Sequence, residues 1–394
     1  MYHEFSAEEL FYKGIECFDN NQYLLAIETW TKAISIEPNI DVLYSNRGDA
    51  KSILSDKEGA ITDYNKAIEL NPEYAPFYFN RGTIMMQLNH DKNAIIDFNK
   101  AIEIDENFPL TYANRSNIRY KHRDLFGALS DINKAIELNP NDIDAYFNRA
   151  IIREDTKDIT GAIKDYSKVI SSVSNNLAAL RGRADLRAAS GDINGAISDF
   201  TKIISSDSSD ASVYNNLANL QSEYFKDPNE IISYYDKAIQ LDPHNSTYYF
   251  NRGSFKSEYS FEDDEVILRD FDIAIELNPD FAAAYGNRAL IKSRFGRLKE
   301  AMIDYNQAIL IDQHSVYLYL GRGELRFELN LFSEAIDDFN KAILMDTYNG
   351  VTYCKRGNAK NRLNDQKGAL IDYNKAISID PKLIDFCEEI PQSR

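Results

Sequence analysis

A pattern of 34 residues recurs along almost the whole chain. The prolines that close the pattern show its period: Pro38 and Pro72 are 34 residues apart, and Pro72 and Pro140 are 68 apart, which is two periods. Self-similarity at such a length is typical of stacked supersecondary units, each of which buries its apolar side only against its neighbours. The chain of 394 residues is therefore expected to form an array rather than two or three separate globular domains.

Eleven copies of the pattern fit between residues 7 and 383. Residues 1–6 form a lead-in, and residues 384–394 form a tail that is expected to cap the last copy. The seventh copy has one extra residue and the eighth has two. The copies are residues 7–40, 41–74, 75–108, 109–142, 143–176, 177–210, 211–245, 246–281, 282–315, 316–349 and 350–383.

Each copy, numbered here from position 1 to position 34, predicts two helices. The first is amphipathic with positions 4, 8 and 11 facing inward, and the second has Ala at positions 20 and 27 and usually ends at a proline. Position 8 is small and position 24 is bulky, so a large side chain against a small one would fix how the two helices cross. Position 8 is Gly14, Gly48, Gly82, Ser116, Ala150, Ala184, Ala218, Gly253, Ala289, Gly323 and Gly357, and position 24 is Trp30, Tyr64, Phe98, Ile132, Tyr166, Phe200, Tyr235, Phe271, Tyr305, Phe339 and Tyr373.

These small, aromatic and proline positions resemble those of the tetratricopeptide repeat (TPR). The resemblance covers residues 7–383. It implies an all-α fold, a right-handed TPR α-solenoid (a superhelix of helix-turn-helix repeats), whose concave groove is lined mainly by the first helix of each repeat. The clamp of Lys and Arg with which TPR co-chaperones bind a terminal carboxylate is not expected, because position 2 lacks Lys and position 6 lacks Arg.

An arginine at position 7 and an aspartate at position 23 occur together. Nine copies have both, whereas the seventh copy has neither and carries Leu217 and Tyr234 instead. Joint presence and joint loss predict a pair that bridges the two helices of each copy; the alternative is an arginine stripe that binds acidic ligands. The structural pairs predicted first are Arg47–Asp63, Arg81–Asp97, Arg115–Asp131 and Arg149–Asp165.

Asparagine recurs at position 6, on the face of the first helix that also carries positions 2, 9 and 13. An amide has both a donor and an acceptor, so a row of amides can bind the backbone of an extended peptide without reading its sequence. The row resembles the asparagine ladders in the grooves of some TPR superhelices; the alternative is that asparagine suits a solvated face. The candidate groove residues are Asn46, Asn80, Asn114, Asn148, Asn216, Asn251 and Asn287.

Phenylalanine at position 5 is a second candidate feature of the groove. Phe79, Phe147 and Phe250 could form apolar pockets for a ligand or could belong to the core between repeats. Acidic residues at positions 9 and 13 would attract a basic or neutral segment, although such residues are also common on a solvated face.

Charge and cysteine content limit the partners and the compartment. With 44 Lys and Arg against 62 Asp and Glu, the formal charge is −18, which disfavours nucleic acid and anionic membranes as partners. Three scattered cysteines without metal-ligand spacing are expected to be reduced thiols. The sequence has neither an apolar leader nor a membrane-length apolar run, so a cytoplasmic location is expected.

These observations favour a non-catalytic scaffold that binds an extended peptide or a partner helix. Catalytic and metal-binding motifs are missing, so neither enzymatic activity nor a cofactor is expected. Two alternatives remain: a chaperone-like assembly factor for client proteins, and a regulatory subunit of a separate enzyme. The insertions around residues 226–229 and 261–264 suggest that residues 211–281 form a softer joint or an edge for docking; tolerated drift in surface turns is the alternative.

Overall fold

A computed structural model of the chain describes residues 5–207, 209–223, 227–259, 264–385 and 387. The described residues form only helices and their connections, so the predicted all-α class is confirmed. Of the proposed insertions, residues 226 and 261–263 lie outside the described residues, as do residues 386 and 388–394 of the predicted cap.

The helices alternate between a first and a second member of a hairpin, and most have 13 or 14 residues. First helices are α1 Ala7–Asp19, α3 Asp41–Ile53, α5 Ala75–Gln87, α7 Pro109–Lys121, α9 Ile143–Asp155, α11 Leu177–Ala189, α13 Ala211–Ser222, α15 Ser246–Tyr259, α17 Ala282–Arg294, α19 Val316–Glu328 and α21 Gly350–Arg362. Second helices are α2 Tyr23–Ile36, α4 Lys57–Leu70, α6 Asp91–Ile104, α8 Leu125–Leu138, α10 Ile159–Ser172, α12 Ile193–Ser206, α14 Pro228–Leu241, α16 Asp264–Leu277, α18 Leu298–Ile311, α20 Phe332–Met345 and α22 Gln366–Ile379. A short 3₁₀ helix, Pro381–Asp385, follows α22.

The turn within a hairpin depends on one residue with a positive φ. Gly191 has φ of 85° and Gly296 has φ of 76°. The other described turns have asparagine at this position, as at Asn21 and Asn89, or else Ser55, Arg123 or Lys157. Glycine and asparagine tolerate this left-handed conformation better than other residues. Several turns then end in an aspartate cap: Asp56 Oδ1 accepts the backbone N–H of Gly59 at 3.0 Å, which fixes the start of α4.

The small residue at position 8 makes room for the bulky residue at position 24. A Cβ added to Gly14 would lie 2.3 Å from Trp30 Nε1, and one added to Gly82 would lie 2.9 Å from Phe98 Cε1. The aromatic rings are buried: Trp30 is 1% exposed and Phe98 is 0% exposed. The close approach of α1 to α2 and of α5 to α6 therefore follows from a residue without a side chain.

The chain divides into two compact units, Met1–Asp199 and Phe200–Arg394. In the first unit, the core is a succession of clusters built on Trp30, Tyr64, Phe98, Ile132 and Tyr166, each shared between neighbouring hairpins. The boundary falls inside α12, and the limits of the eleven copies remain a prediction.

The second unit has the same kind of core. Tyr235, Phe271, Tyr305, Phe339 and Tyr373 are each at most 2% exposed and organise successive clusters. Leu383 of the 3₁₀ helix packs into the last cluster with Tyr353 and Ala376. The described part of the tail thus covers the end of the last hairpin.

The expectation of three reduced cysteines is wrong. Cys354 of α21 and Cys387 form a disulfide with a Cα–Cα distance of 5.2 Å, whereas Cys17 is a buried free thiol. The sequence reasoning failed because the two partners are 33 residues apart. Their proximity arises only when the tail folds back on α21.

Candidate functional site

The asparagines of position 6 are half-buried along the first helices, and most of them bond to the preceding hairpin. Their Nδ2 atoms donate to the side chain at position 9, or in one case position 5, of the first helix before. In the first compact unit the bonds are Asn80 to Asp49 Oδ1 at 3.2 Å, Asn114 to Thr83 Oγ1 at 3.2 Å and Asn148 to Asn117 Oδ1 at 3.4 Å. In the second they are Asn251 to Asn215 Oδ1 at 2.9 Å and Asn287 to Ser254 Oγ at 3.0 Å.

Two of the seven asparagines depart from this arrangement. Asn216 Oδ1 accepts from Nδ2 of the neighbouring Asn215 at 3.5 Å. Asn46 of α3 has no hydrogen bond to another described side chain, because position 9 of the preceding first helix, α1, is the apolar Ile15. The seven asparagines are therefore not equivalent. Most of their Nδ2 groups donate hydrogen bonds to the preceding repeat, whereas that of Asn46 does not.

The three phenylalanines of position 5 are half-buried against the core. Phe79 lies 4.7 Å from Phe108 and 6.2 Å from Phe98, measured between ring centroids. Phe147 lies 5.7 Å from Tyr166, and Phe250 lies 4.8 Å from Phe281. Each of these ring contacts lies within one copy of the repeat, so the three phenylalanines pack against the core of their own hairpin. A role as ligand pockets stays a prediction.

Four cavities open along the face of the first helices that carries positions 6, 9 and 13, hereafter the first-helix face. In the first compact unit, one of about 240 Å³ is lined by Ile15, Phe18, Trp30, Asn46 and Asp49. The second unit has three. One of about 280 Å³ is lined by Glu223 and Glu258, and one of about 400 Å³ by Glu258 and Arg294. The third, of about 120 Å³, is lined by Glu324 and Lys355. Each of the four cavities therefore has at least one carboxylate in its wall.

Burial changes the ionisation of several acids on this face. Burial raises the pKa of Asp49 above its ordinary value of 3.8, although a hydrogen bond from the Tyr64 hydroxyl partly opposes the shift. Burial also raises the pKa of Glu154 and that of Asp185. Since desolvation disfavours the charged form, these carboxyl groups hold a proton more readily than exposed ones do.

The arginine and aspartate of positions 7 and 23 are in contact in every copy that has both. Nε and Nη2 of the arginine donate to the two oxygens of the aspartate, a bidentate geometry that gives the strongest ion pairs. The distances are 2.6–2.9 Å in Arg47–Asp63, Arg81–Asp97, Arg115–Asp131 and Arg149–Asp165. They are 2.5–3.0 Å in Arg183–Asp199, Arg252–Asp270, Arg288–Asp304, Arg322–Asp338 and Arg356–Asp372.

Each pair belongs to a larger network that the sequence reasoning missed. Nη1 of Arg115 donates to Asn99 Oδ1 of the preceding hairpin at 2.7 Å, and its guanidinium lies 5.6 Å from the ring of Tyr112. A second cation at position 11, such as Arg119 at 2.9 Å from Asp131 Oδ2, completes the set in most copies. Recurrence of a polar residue at position 25 and of Lys or Arg at position 11 was the available signal. The arginines thus link consecutive hairpins, so they are not a free stripe for acidic ligands.

Family comparisons agree with this architecture. Models described as "TPR repeat" and "Tetratricopeptide repeat" match residues 54–89 and 132–164, and another tetratricopeptide repeat model matches residues 75–108, 211–245, 282–315 and 351–383. The chain is a tetratricopeptide repeat protein. No curated protein matches its sequence.

One solved structure has a similar fold. The TPR chain resembles the "APC/C hetero-tetramer Cut9-Hcn1" with a TM-score of 0.52 and 12% identity, over 98% of this chain and 96% of the other. Yeast Tom70 aligns with a TM-score of 0.46 and 18% identity, over 97% and 95% of the two chains. At such identities the likeness concerns the fold alone.

The described residues of this TPR protein contain no group of three or more His, Cys, Asp or Glu side chains placed to hold a metal ion. Every helix among those same residues is too short or too polar to cross a lipid bilayer.

Proposed function

We propose that this TPR protein is a non-catalytic scaffold that binds an extended peptide segment of a partner protein along its first-helix face. The observation that carries the proposal is the fixed orientation of the amides. Asn80, Asn114 and Asn148 each donate Nδ2 to the preceding hairpin, while their Oδ1 atoms accept no hydrogen bond from a described residue. Each amide therefore offers a carbonyl acceptor whose position is already set.

The spacing suits an extended main chain. Neighbouring packed helices lie about 8–10 Å apart, and a peptide in the extended polyproline II conformation advances about 3.1 Å per residue with about three residues per turn. Every third peptide N–H then points to the same side, so one asparagine acceptor would meet roughly every third N–H. Main-chain recognition of this kind gives affinity with little sequence specificity, and the cavities between the helices would supply the specificity.

The charge of the face supports a basic or neutral segment. The net charge of −18, and the carboxylates of the two cavities that have no basic residue in their walls, favour cationic residues near the peptide by long-range attraction. The same charge disfavours nucleic acid and anionic lipid as ligands.

A test uses a displayed library of random linear peptides, selected on the purified protein and then measured as free peptides. The triple variant Asn80→Ala, Asn114→Ala, Asn148→Ala is expected to lose about tenfold or more in affinity, since each lost hydrogen bond is worth roughly 0.5–1.5 kcal/mol. The control variant Asn107→Ala, Asn141→Ala changes exposed asparagines in loops and should bind as the wild type does. Equal affinity for the triple variant and the wild type would contradict the proposal.

The cytoplasmic location remains a prediction. Disulfides are rare in the reducing cytosol, and the Cys354–Cys387 bond therefore makes the thiol content informative. Counting free thiols in protein trapped by alkylation inside intact cells tests it: three free thiols support the cytoplasm, and one supports an oxidising compartment.

A further inference from the structure

The cavity of about 240 Å³ at the start of the array has walls of two kinds. Ile15 and Phe18 of α1 and Trp30 of α2 form its apolar side, and Asn46 and Asp49 of α3 form its polar side. We name it the Trp30 pocket. It is smaller than the range of about 300–1,000 Å³ typical of sites for drug-sized ligands, so it suits one side chain rather than a whole small molecule.

The apolar wall is held in place by the core beneath it. Trp30 is 1% exposed, and its Nε1 donates to the backbone oxygen of Phe11 at 3.2 Å, which leaves no polar indole group to satisfy. The ring of Phe18 packs 5.9 Å from that of Trp30 and 5.3 Å from that of Tyr23. A preformed aromatic wall favours the burial of an apolar group because neither ring has to be reorganised.

The Asn46 amide is the polar group that distinguishes this pocket. At the equivalent position of later hairpins, the amide donates to an acceptor on the preceding helix, as Asn114 does to Thr83. In this pocket the residue at that position of the preceding first helix, α1, is the apolar Ile15. Asn46 therefore has no hydrogen-bond partner among the described residues. Both its donor and its acceptor are available to a peptide group at the rim of the pocket.

Asp49 sets the charge that the pocket accepts. Its Oδ1 accepts from the Tyr64 hydroxyl at 2.5 Å and from Asn80 Nδ2 at 3.2 Å, and both bonds hold the carboxylate at the pocket wall. A ligand with acidic residues beside its apolar side chain would meet a carboxylate in a chain that is already strongly acidic. Neutral or basic neighbours complement this charge.

We propose that the Trp30 pocket binds one large aliphatic side chain of an extended peptide segment, with the main chain of the segment bonded to Asn46 and with neutral or basic flanking residues. The proposal rests on the proposed function and assigns the anchor point of the ligand. It predicts a preference for Leu-sized residues at one position of the segment and a penalty for Glu or Asp beside it.

Trp30 itself reports the binding, because it is the only tryptophan of the chain. The probes are three blocked pentapeptides: acetyl-Gly-Lys-Leu-Lys-Gly-amide, the same peptide with Ala for Leu, and the same peptide with Glu for both Lys. The Leu peptide is expected to give a saturable change in Trp30 emission. The Ala and Glu peptides are each expected to bind about tenfold more weakly or worse, the first from lost apolar burial and the second from charge repulsion.

Two variants test the wall and the amide separately. Ile15→Thr introduces the acceptor that Thr83 supplies in a later hairpin, and is expected to bond Asn46 and weaken the Leu peptide severalfold. Asn46→Ala removes a side chain without a described partner, should fold normally and should weaken binding to a similar extent. A Leu peptide that gives no saturable change, or an Ala peptide that binds equally well, overturns the proposal, as does wild-type affinity in both variants.

Failure of the pocket proposal can be distinguished from failure of the proposed function. The variant Asn114→Ala, Asn148→Ala leaves the Trp30 pocket unaltered and should retain the pentapeptide signal while losing affinity for long peptides. If the pentapeptide signal is absent while long peptides still bind through those asparagines, the pocket proposal fails alone. If the signal is present and long peptides bind the variant as they bind the wild type, the main-chain ladder fails and the pocket stands.

Discussion

Arg115 binds both carboxylate oxygens of Asp131, with Nε at 2.8 Å from Oδ2 and Nη2 at 2.6 Å from Oδ1. Asp131 is 3% exposed and lies on the second helix of the hairpin, whereas Arg115 lies on the first and also reaches Asn99 of the hairpin before. The pair therefore connects three helices at once. Repetition of this connection links local hairpin geometry to the stacking of neighbours, which is what a repeat protein requires for stability.

Removing the carboxylate is expected to lower the free energy of unfolding more at Asp131 than at Asp97. Asp131→Ala leaves Arg115 and Arg119 without their partner, and the loss of one member of a buried pair costs about 3–5 kcal/mol. At Asp97 only Arg81 contacts the carboxylate among the described residues, because position 11 is Met85. Hydrogen exchange of α7–α8 and α5–α6 in the two variants measures the local loss. An equal or greater loss at Asp97 would show that the second cation does not contribute.

Glycine at position 8 is expected to tolerate alanine in some hairpins and not in others. In Gly14→Ala the new Cβ would lie 2.3 Å from Trp30, so the indole must move, with a cost of about 1–3 kcal/mol. In Gly48→Ala the nearest atoms of Tyr64 are at 3.2 Å, and the gain of about 1 kcal/mol in helix propensity offsets the crowding. Chemical unfolding followed by Trp30 fluorescence for the first variant and by circular dichroism for both gives the comparison. Equal destabilisation of the two would mean that the size of the partner ring does not matter.

Much of the fold could be predicted from the sequence because its determinants are local and repeated. The small residue at Gly82 and the large one at Phe98 recur at fixed spacing, and the joint loss of Arg and Asp in the seventh copy pointed to direct contact. The relations between copies were harder to predict. The bond from Asn114 to Thr83 and the bond from Arg115 to Asn99 depend on the rotation of one hairpin against the next, which spacing within a single copy does not specify.

The candidate site shows the same limit. The row of asparagines could be found by counting, but the distinct environment of Asn46 arises from Ile15 on the preceding helix. The Trp30 pocket needs residues from three helices at one point. The disulfide between Cys354 and Cys387 depends on how the tail returns to α21, and no periodic pattern carries that information.

The contributions of Asp49 and Asp91 to the free energy of unfolding are expected to change in opposite directions as pH changes. Burial raises the pKa of Asp49 above 3.8, so its favourable contribution is fully present below about pH 3.8 and is lost as pH rises through the raised value. Asp49→Asn should therefore be more stable than the wild type at neutral pH, with a difference that shrinks on acidification. Hydrogen exchange of α3–α4 between about pH 4 and pH 7, corrected for intrinsic rates, measures it.

Asp91 provides the matched comparison. Its Oδ2 accepts from Lys121 Nζ and His122 Nε2, both at 2.8 Å, and the Lys121 hydrogen bond in particular lowers the pKa of Asp91 below 3.8. Its contribution is thus present above about pH 3.8 and lost as pH falls through the lowered value. Asp91→Asn should destabilise α6 and α7 at neutral pH. A stabilising effect, or the same sign as in Asp49→Asn, would contradict the assignment of the two environments.

Reduction of the disulfide is expected to loosen the last hairpin and leave the first one unchanged. Cys354 and Cys387 are 2% and 5% exposed, and their bond fastens Leu383 and the tail over Tyr353 and Ala376. A disulfide contributes typically about 2–4 kcal/mol, chiefly by restricting the open chain. Hydrogen exchange with and without a phosphine reductant should therefore show faster exchange in α21 and α22 after reduction, while α1 and α2 serve as the internal reference. The variant Cys354→Ser, Cys387→Ser should already exchange at the fast rate and ignore the reductant. Unchanged protection of α21 after full reduction, with three titratable thiols, would mean that packing of Leu383 alone holds the tail and that the covalent bond adds nothing to the end of the array.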